Sequence, residues 1–108
     1  GTPTAPMFMG QGTAGDLEGT PGNKPGIGKG DGVMIAGDVR SLARRYCNRG
    51  VVVEHKEYAG SHITATVPWL PQAYAWLTDR FRGEPAPSSC GSIPRGNSLA
   101  PLKVLKAG

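Results

Sequence analysis

Residues 51–64 read VVVEHKEYAGSHIT. Three β-branched residues, Val51 to Val53, open the stretch, and apolar and charged residues then alternate as far as Tyr58. That is the pattern of a strand near a sheet edge, partly covered and partly wet. Gly60 permits a turn, and His62 stands just beyond it at the strand's exit. A histidine held out from the end of a rigid strand is well placed to act as a general base. As such it needs a nucleophile on one ring nitrogen and an orienting carboxylate on the other. The plainer reading of the residues alone is a solvated turn histidine. His55, mid-strand among charges, reads as structural or solvated.

Upstream, Asp38 is the expected N-cap of a helix. Val39, Leu42, Ala43, Tyr46 and Cys47 share one apolar face, and Gly50 stops the helix after Arg49. Arg40, Arg44 and Arg45 fall on its other side, as a solvated basic face. Further back, APMFM at 5–9 suits a short buried strand. Downstream, Pro68 and Pro71 introduce a second helix, with Pro71 in its first turn and Leu70, Ala73, Tyr74, Leu77 and Phe81 as its apolar stripe up to Gly83. Strand, helix, strand, helix is the rhythm of an α/β protein. The expected division is an ordered part over 1–83 and a loop-like tail over 84–108, in which APLKVL at 100–105 is a candidate short strand.

Composition limits what such a chain does alone. Of 108 residues 38% are hydrophobic, while 17 Gly and 10 Pro make up a quarter of the total. One domain is the ceiling, with little material for an independent core, so the chain is expected to be a piece of something larger. A net charge of +4 is spread along the sequence, which argues against nucleic-acid binding. No apolar run is long enough to span a bilayer. No signal peptide is visible, and Gly1 is compatible with a leader having been removed. Cys47 and Cys90 have neither zinc-knuckle nor C-x-x-C spacing. They suit a structural disulfide pinning the tail in an oxidising setting, with two free thiols as the other reading.

Several motifs fail on inspection. The glycine-rich segment 10–32 is too long for an ordinary connection. A phosphate loop there would need Gly where Asn23 stands and Ser or Thr where Gly30 stands. A calcium loop lacks its alternating acids. No cofactor or metal is expected. Two carboxylates compete to partner His62: Asp16, soon after the first strand, and Asp31, just before VMIAGD as runner-up. GNSLA at 96–100 has the outline of a nucleophile elbow, but Ser98 lies between Pro94 and Pro101 without the strand and helix an elbow requires. Ser61, adjacent to His62, points elsewhere.

Taken together, PMFMGQGTAGD, DVRSLARRYCNRG, VVVEHKEYAGSHITA and PWLPQAYAWLTDRFRG followed by a Cys resemble the C-terminal third of an α/β-hydrolase of the secretory lipase family found in actinomycetes and fungi. The resemblance covers about residues 5–90. It implies the last strands and helices of an α/β-hydrolase sheet, completed by another chain. Residue by residue it assigns the catalytic histidine to His62 and the acid to Asp16, whose turn G-T-A-G-D is one residue longer than the family's. KGDGVM resembles the segment after the acid and keeps Asp31 in play. The family's serine, in G-x-S-x-G, lies upstream in the order Ser, Asp, His, and no such serine is present here. The implied partner is therefore an N-terminal hydrolase chain carrying the nucleophile, the substrate a lipid or other ester, and the setting secreted, with Cys47 and Cys90 tying the tail to the first helix. The alternative is a non-catalytic interaction module on a hydrolase-like scaffold, which His62→Ala would leave unaffected.

Overall fold

A computed structural model describes residues 1–14, 29–31 and 33–97. Four elements follow in order: β1 (Met7–Gly12), α1 (Ala36–Asn48), β2 (Val53–Tyr58) and α2 (His62–Phe81). The strands pair in parallel, Met7 opposite Val53 through Gly12 opposite Tyr58, so a crossover has to join them, and α1 lies within it. This is a small α/β unit, consistent with part of a larger α/β fold.

Side-chain alternation places one helix on each face. Met7 and Met9 turn to a core of Ala43, Val51, Val53 and Ile93, joined by Tyr46, Cys47 and Cys90. Phe8, between them, meets Trp69 and Trp76 of α2 with ring centroids 6.4 and 6.1 Å apart. Successive strand residues point to opposite faces, so α1 and α2 cover opposite sides of the sheet. β2 repeats the sorting. Glu57 takes a two-pronged hydrogen bond from Arg40 of α1, while the Tyr58 hydroxyl reaches Gln72 of α2 at 2.7 Å.

The segment after α2 runs along β2's outer edge. Ser89 N–H donates to Val53 O, and His55 N–H donates to Ser89 Oγ. A strand edge left bare would invite pairing with another chain, and here the tail covers it. The Cys47–Cys90 disulfide fixes this arrangement, with Cα atoms 5.6 Å apart.

Several expectations shift. The first strand begins at Met7, whose N–H makes a ladder bond to Val52 O, because Pro6 has no N–H to give. Asp38 is not a cap. The Gly30–Ile35 bridge and the bond from Ala36 N–H to Lys29 O start the helix earlier, with Ile35 at the N-cap. Asp38 then sits in the first turn, where a carboxylate meets the positive end of the helix dipole. The arginines of α1 are more than a solvated face, since Arg40 binds Glu57 and Arg44 donates to Ile93 O. Gly50 ends α1 as expected, with φ 86°.

The largest correction concerns α2. It starts at His62, not near Pro71, because Ser61 and Thr64 form a reciprocal capping box. Pro68 and Pro71 lie inside the helix and withhold N–H groups from the Thr64 and Val67 carbonyls. The expected stripe of Leu70, Tyr74, Leu77 and Phe81 faces away from the sheet and is exposed. Ala65, Trp69 and Trp76 form the packed face instead, with both indoles stacked against Phe8. Gly10 makes this possible: a Cβ there would stand 2.1 Å from Trp69 Cδ1. The run at 100–105 lies outside the described residues.

Candidate active site

Three segments converge beyond the ends of β1 and β2. β1 finishes at Gly12, where a Cβ would lie 2.5 Å from Gly60 O and 2.8 Å from Asp31 Cβ. Only glycine lets the strand end, the Asp31 turn and the Gly60–Ser61 turn come so close. Thr13 N–H to Tyr58 O and Ala14 N–H to Gly60 O extend the parallel pairing up to the site.

Asp31 is held at every polar atom. Its Oδ1 accepts from Val33 N–H at 2.9 Å and Met34 N–H at 2.6 Å, the self-capping turn that short acidic side chains favour. Its own N–H donates to Met34 O, and its carbonyl accepts from His62 N–H at 2.6 Å. That last bond satisfies a free N–H of α2's first turn. The remaining carboxylate oxygen, Oδ2, lies 2.8 Å from His62 Nδ1. Burial pushes the Asp31 carboxyl up, but the Met34 N–H, the His62 ring and the Val33 N–H outweigh it and hold it below the usual carboxylate range. An ionised carboxylate at 2.8 Å is the acceptor, so Nδ1 carries a proton, and in the neutral ring the lone pair is on Nε2.

The pair is asymmetric in exposure. The Asp31 side chain is 4% exposed and that of His62 is 49% exposed. Nε2 has no hydrogen-bond partner among the described residues. A cavity of about 210 Å³ opens beside the ring, lined by Gly10, Gln11, Gly12, Asp31, Tyr58, His62, Ala65, Thr66 and Trp69. Its volume is below that of a pocket for a drug-sized ligand. A larger open cleft of about 340 Å³ between Arg44, Arg45, Arg49 and Arg95 shares no lining residue with it and is lined by no His, Asp, Glu or Cys; its one hydroxyl, Ser41, donates to Asn97 O. No three His, Cys, Asp or Glu side chains gather as metal ligands among the described residues.

A model of the secretory lipase family matches residues 27–89, more than half of the chain. The chain belongs to the secretory lipase family. The matched segment runs from just before the Asp31 turn through α1, β2, His62 and α2 and stops one residue short of Cys90. No curated protein and no solved structure matches the chain. Membership supports a lipase-like hydrolase, and the family's secretion and the disulfide both fit an extracellular protein. No helix among the described residues is long and apolar enough to cross a membrane.

Of the two candidate acids, Asp31 is the one placed against His62, while Asp16 lies outside the described residues, as does Ser98. Ser61 spends its hydroxyl capping α2, accepting from Thr64 N–H. His62 is the first residue of a helix rather than part of a free turn. Gln11 is a neighbour of the pair that the sequence does not mark. It is 3% exposed, and its Nε2 donates to Met34 O, the carbonyl that also receives Asp31 N–H. A glutamine in a strand gives no signal of this kind, because the partner is twenty-three residues away.

Proposed function

We propose that this chain is the acid-and-histidine portion of a secreted serine ester hydrolase, completed by an N-terminal portion that carries the nucleophilic serine. The observation that supports this reading is the Asp31–His62 pair, buried at the carboxylate and open at Nε2. Asp31, rather than Asp16, then holds the histidine. In the first step Nε2 takes the proton of the serine hydroxyl as its oxygen attacks the ester carbonyl. Asp31 keeps the proton on Nδ1 and stabilises the imidazolium without taking the proton itself. The tetrahedral intermediate collapses as the alkoxide leaves with the proton from Nε2. Water, deprotonated by the same nitrogen, then releases the acid and restores the serine. Backbone donors for the oxyanion come from the serine-bearing portion.

The test is ester hydrolysis by the assembled portions, using a chromogenic short-chain ester. His62→Ala removes the base and is expected to lower kcat by about 10⁴-fold or more. Unchanged hydrolysis would favour a non-catalytic module instead.

A further inference from the structure

Helix α2 is apolar on both sides. Opposite its sheet-facing residues, Ile63, Val67, Leu70, Tyr74, Leu77 and Phe81 follow at intervals of four, three, four, three and four. Each is between 49% and 84% exposed. No charged residue occurs between His62 and Asp79. A helix that is apolar all round belongs in an interior, yet among the described residues nothing covers one side.

From this we infer that the outer seam of α2 is the docking surface for an amphipathic helix of the serine-bearing portion. The inference rests on the proposed function and names the surface through which that portion binds. Alternating steps of three and four are the a/d pattern that packs as knobs into the holes of a facing helix, and the seam spans about 27 Å. Its position argues for the same occupant. Ile63 begins the seam one residue after His62, whose Nε2 the serine has to reach. Among the described residues β1 pairs with β2 alone, so a sheet continuing beyond β1 would run into that same portion.

Two other occupants fit less well. A helix that lies on a lipid surface carries Lys and Arg on its polar face, whereas this helix has no cation in its central sixteen residues. A second copy of α2 would bring no charged flanking positions to set its pairing, and would leave both β1 and Nε2 unserved.

The experiment uses this chain and a separately produced N-terminal portion of a secretory lipase that contains the G-x-S-x-G serine. Binding is read by sedimentation and turnover by ester hydrolysis. The expected result is a one-to-one complex with activity, and a Kd raised about a hundredfold or more by Val67→Lys with Tyr74→Lys. Both positions are exposed, so circular dichroism should stay unchanged, and Leu70→Lys with Leu77→Lys serves as an independent pair. His62→Ala should bind normally and be inactive. If the lysine variants bind and turn over as the native chain does, the docking surface is wrong while the functional reading stands. If the native chain binds no such portion and yields no activity, the functional reading fails. A stripe-dependent dimer of this chain, or stripe-dependent attachment to phosphatidylcholine vesicles, that persists with the serine-bearing portion in excess would assign the seam to that occupant and overturn the inference.

Discussion

Replacing Asp31 by Asn separates the carboxylate's chemical role from its structural one. The amide oxygen can keep the bonds from Val33 and Met34 N–H, so the turn survives. Each bond weakens from a charge-assisted to a neutral one, a loss of about 1 kcal/mol apiece, or about 2 kcal/mol in stability. Toward His62 the change is qualitative. Where Oδ2 accepted from Nδ1–H at 2.8 Å, the amide now presents N–H donors. The ring then places its proton on Nε2 and offers Nδ1 as acceptor, so the nitrogen that should attack the serine proton no longer can. A wrong tautomer in this geometry lowers kcat by about 10⁴-fold, or about 5 kcal/mol of transition-state stabilisation. Nitrogen-15 NMR of His62 reports the tautomer directly, and ester hydrolysis by the assembled enzyme reports its consequence. Asp31→Ala is the control. It strands two part-buried N–H groups at about 1–3 kcal/mol each and so mixes unfolding with inactivation. The reasoning would be refuted if Asp31→Asn kept the Nδ1–H tautomer and near-native turnover while Asp16→Asn lost both.

Three further outcomes are expected. Converting Cys47 and Cys90 to Ser opens a loop of 43 residues and should cost about 4 kcal/mol on the chain-entropy account, read as a lower urea midpoint and faster proteolysis after Phe81. Gly10→Ala drives a methyl into the Trp69 indole and should cost about 1–3 kcal/mol, with a shift in Trp fluorescence as the indole moves. His55 gives a pH signature. Burial, reinforced by Arg40 and opposed by Glu57, holds its pKa below the ordinary 6.5. The unfolded chain therefore binds the proton first as pH falls. The stability this group contributes is complete above about 6.5 and is lost as pH drops toward the folded value. Urea midpoints at about pH 7.5 and about pH 5.5 should differ less in His55→Leu than in the native chain.

What the sequence made legible followed from local chemistry. The alternation after Val51, the apolar face of α1 and the stop at Gly50 depend on near neighbours, and each found its place. The sequence points too late for the start of α2 because two prolines are loud breakers, while Ser61 and Thr64, a capping box that uses Thr for the usual Glu, are a quiet start signal. Its stripe looks like a buried face in the sequence because periodicity identifies an apolar face without saying what lies against it. Trp69 and Trp76 form a second face, and only the tertiary pairing with Phe8 chooses between them. At the candidate site, the place of His62 just beyond the strand is legible from the turn at Gly60. Its contact with Asp31 is not, since that rests on a bond spanning thirty-one residues and on a turn that closes around Gly12.

The most direct test of the central claim is covalent labelling by a fluorophosphonate when this chain is mixed with a serine-bearing N-terminal portion. The account predicts label on that portion's serine, at a rate that depends on the presence of this chain and collapses with His62→Ala. Label on the serine at the same rate without this chain, or with His62→Ala in place, would contradict it.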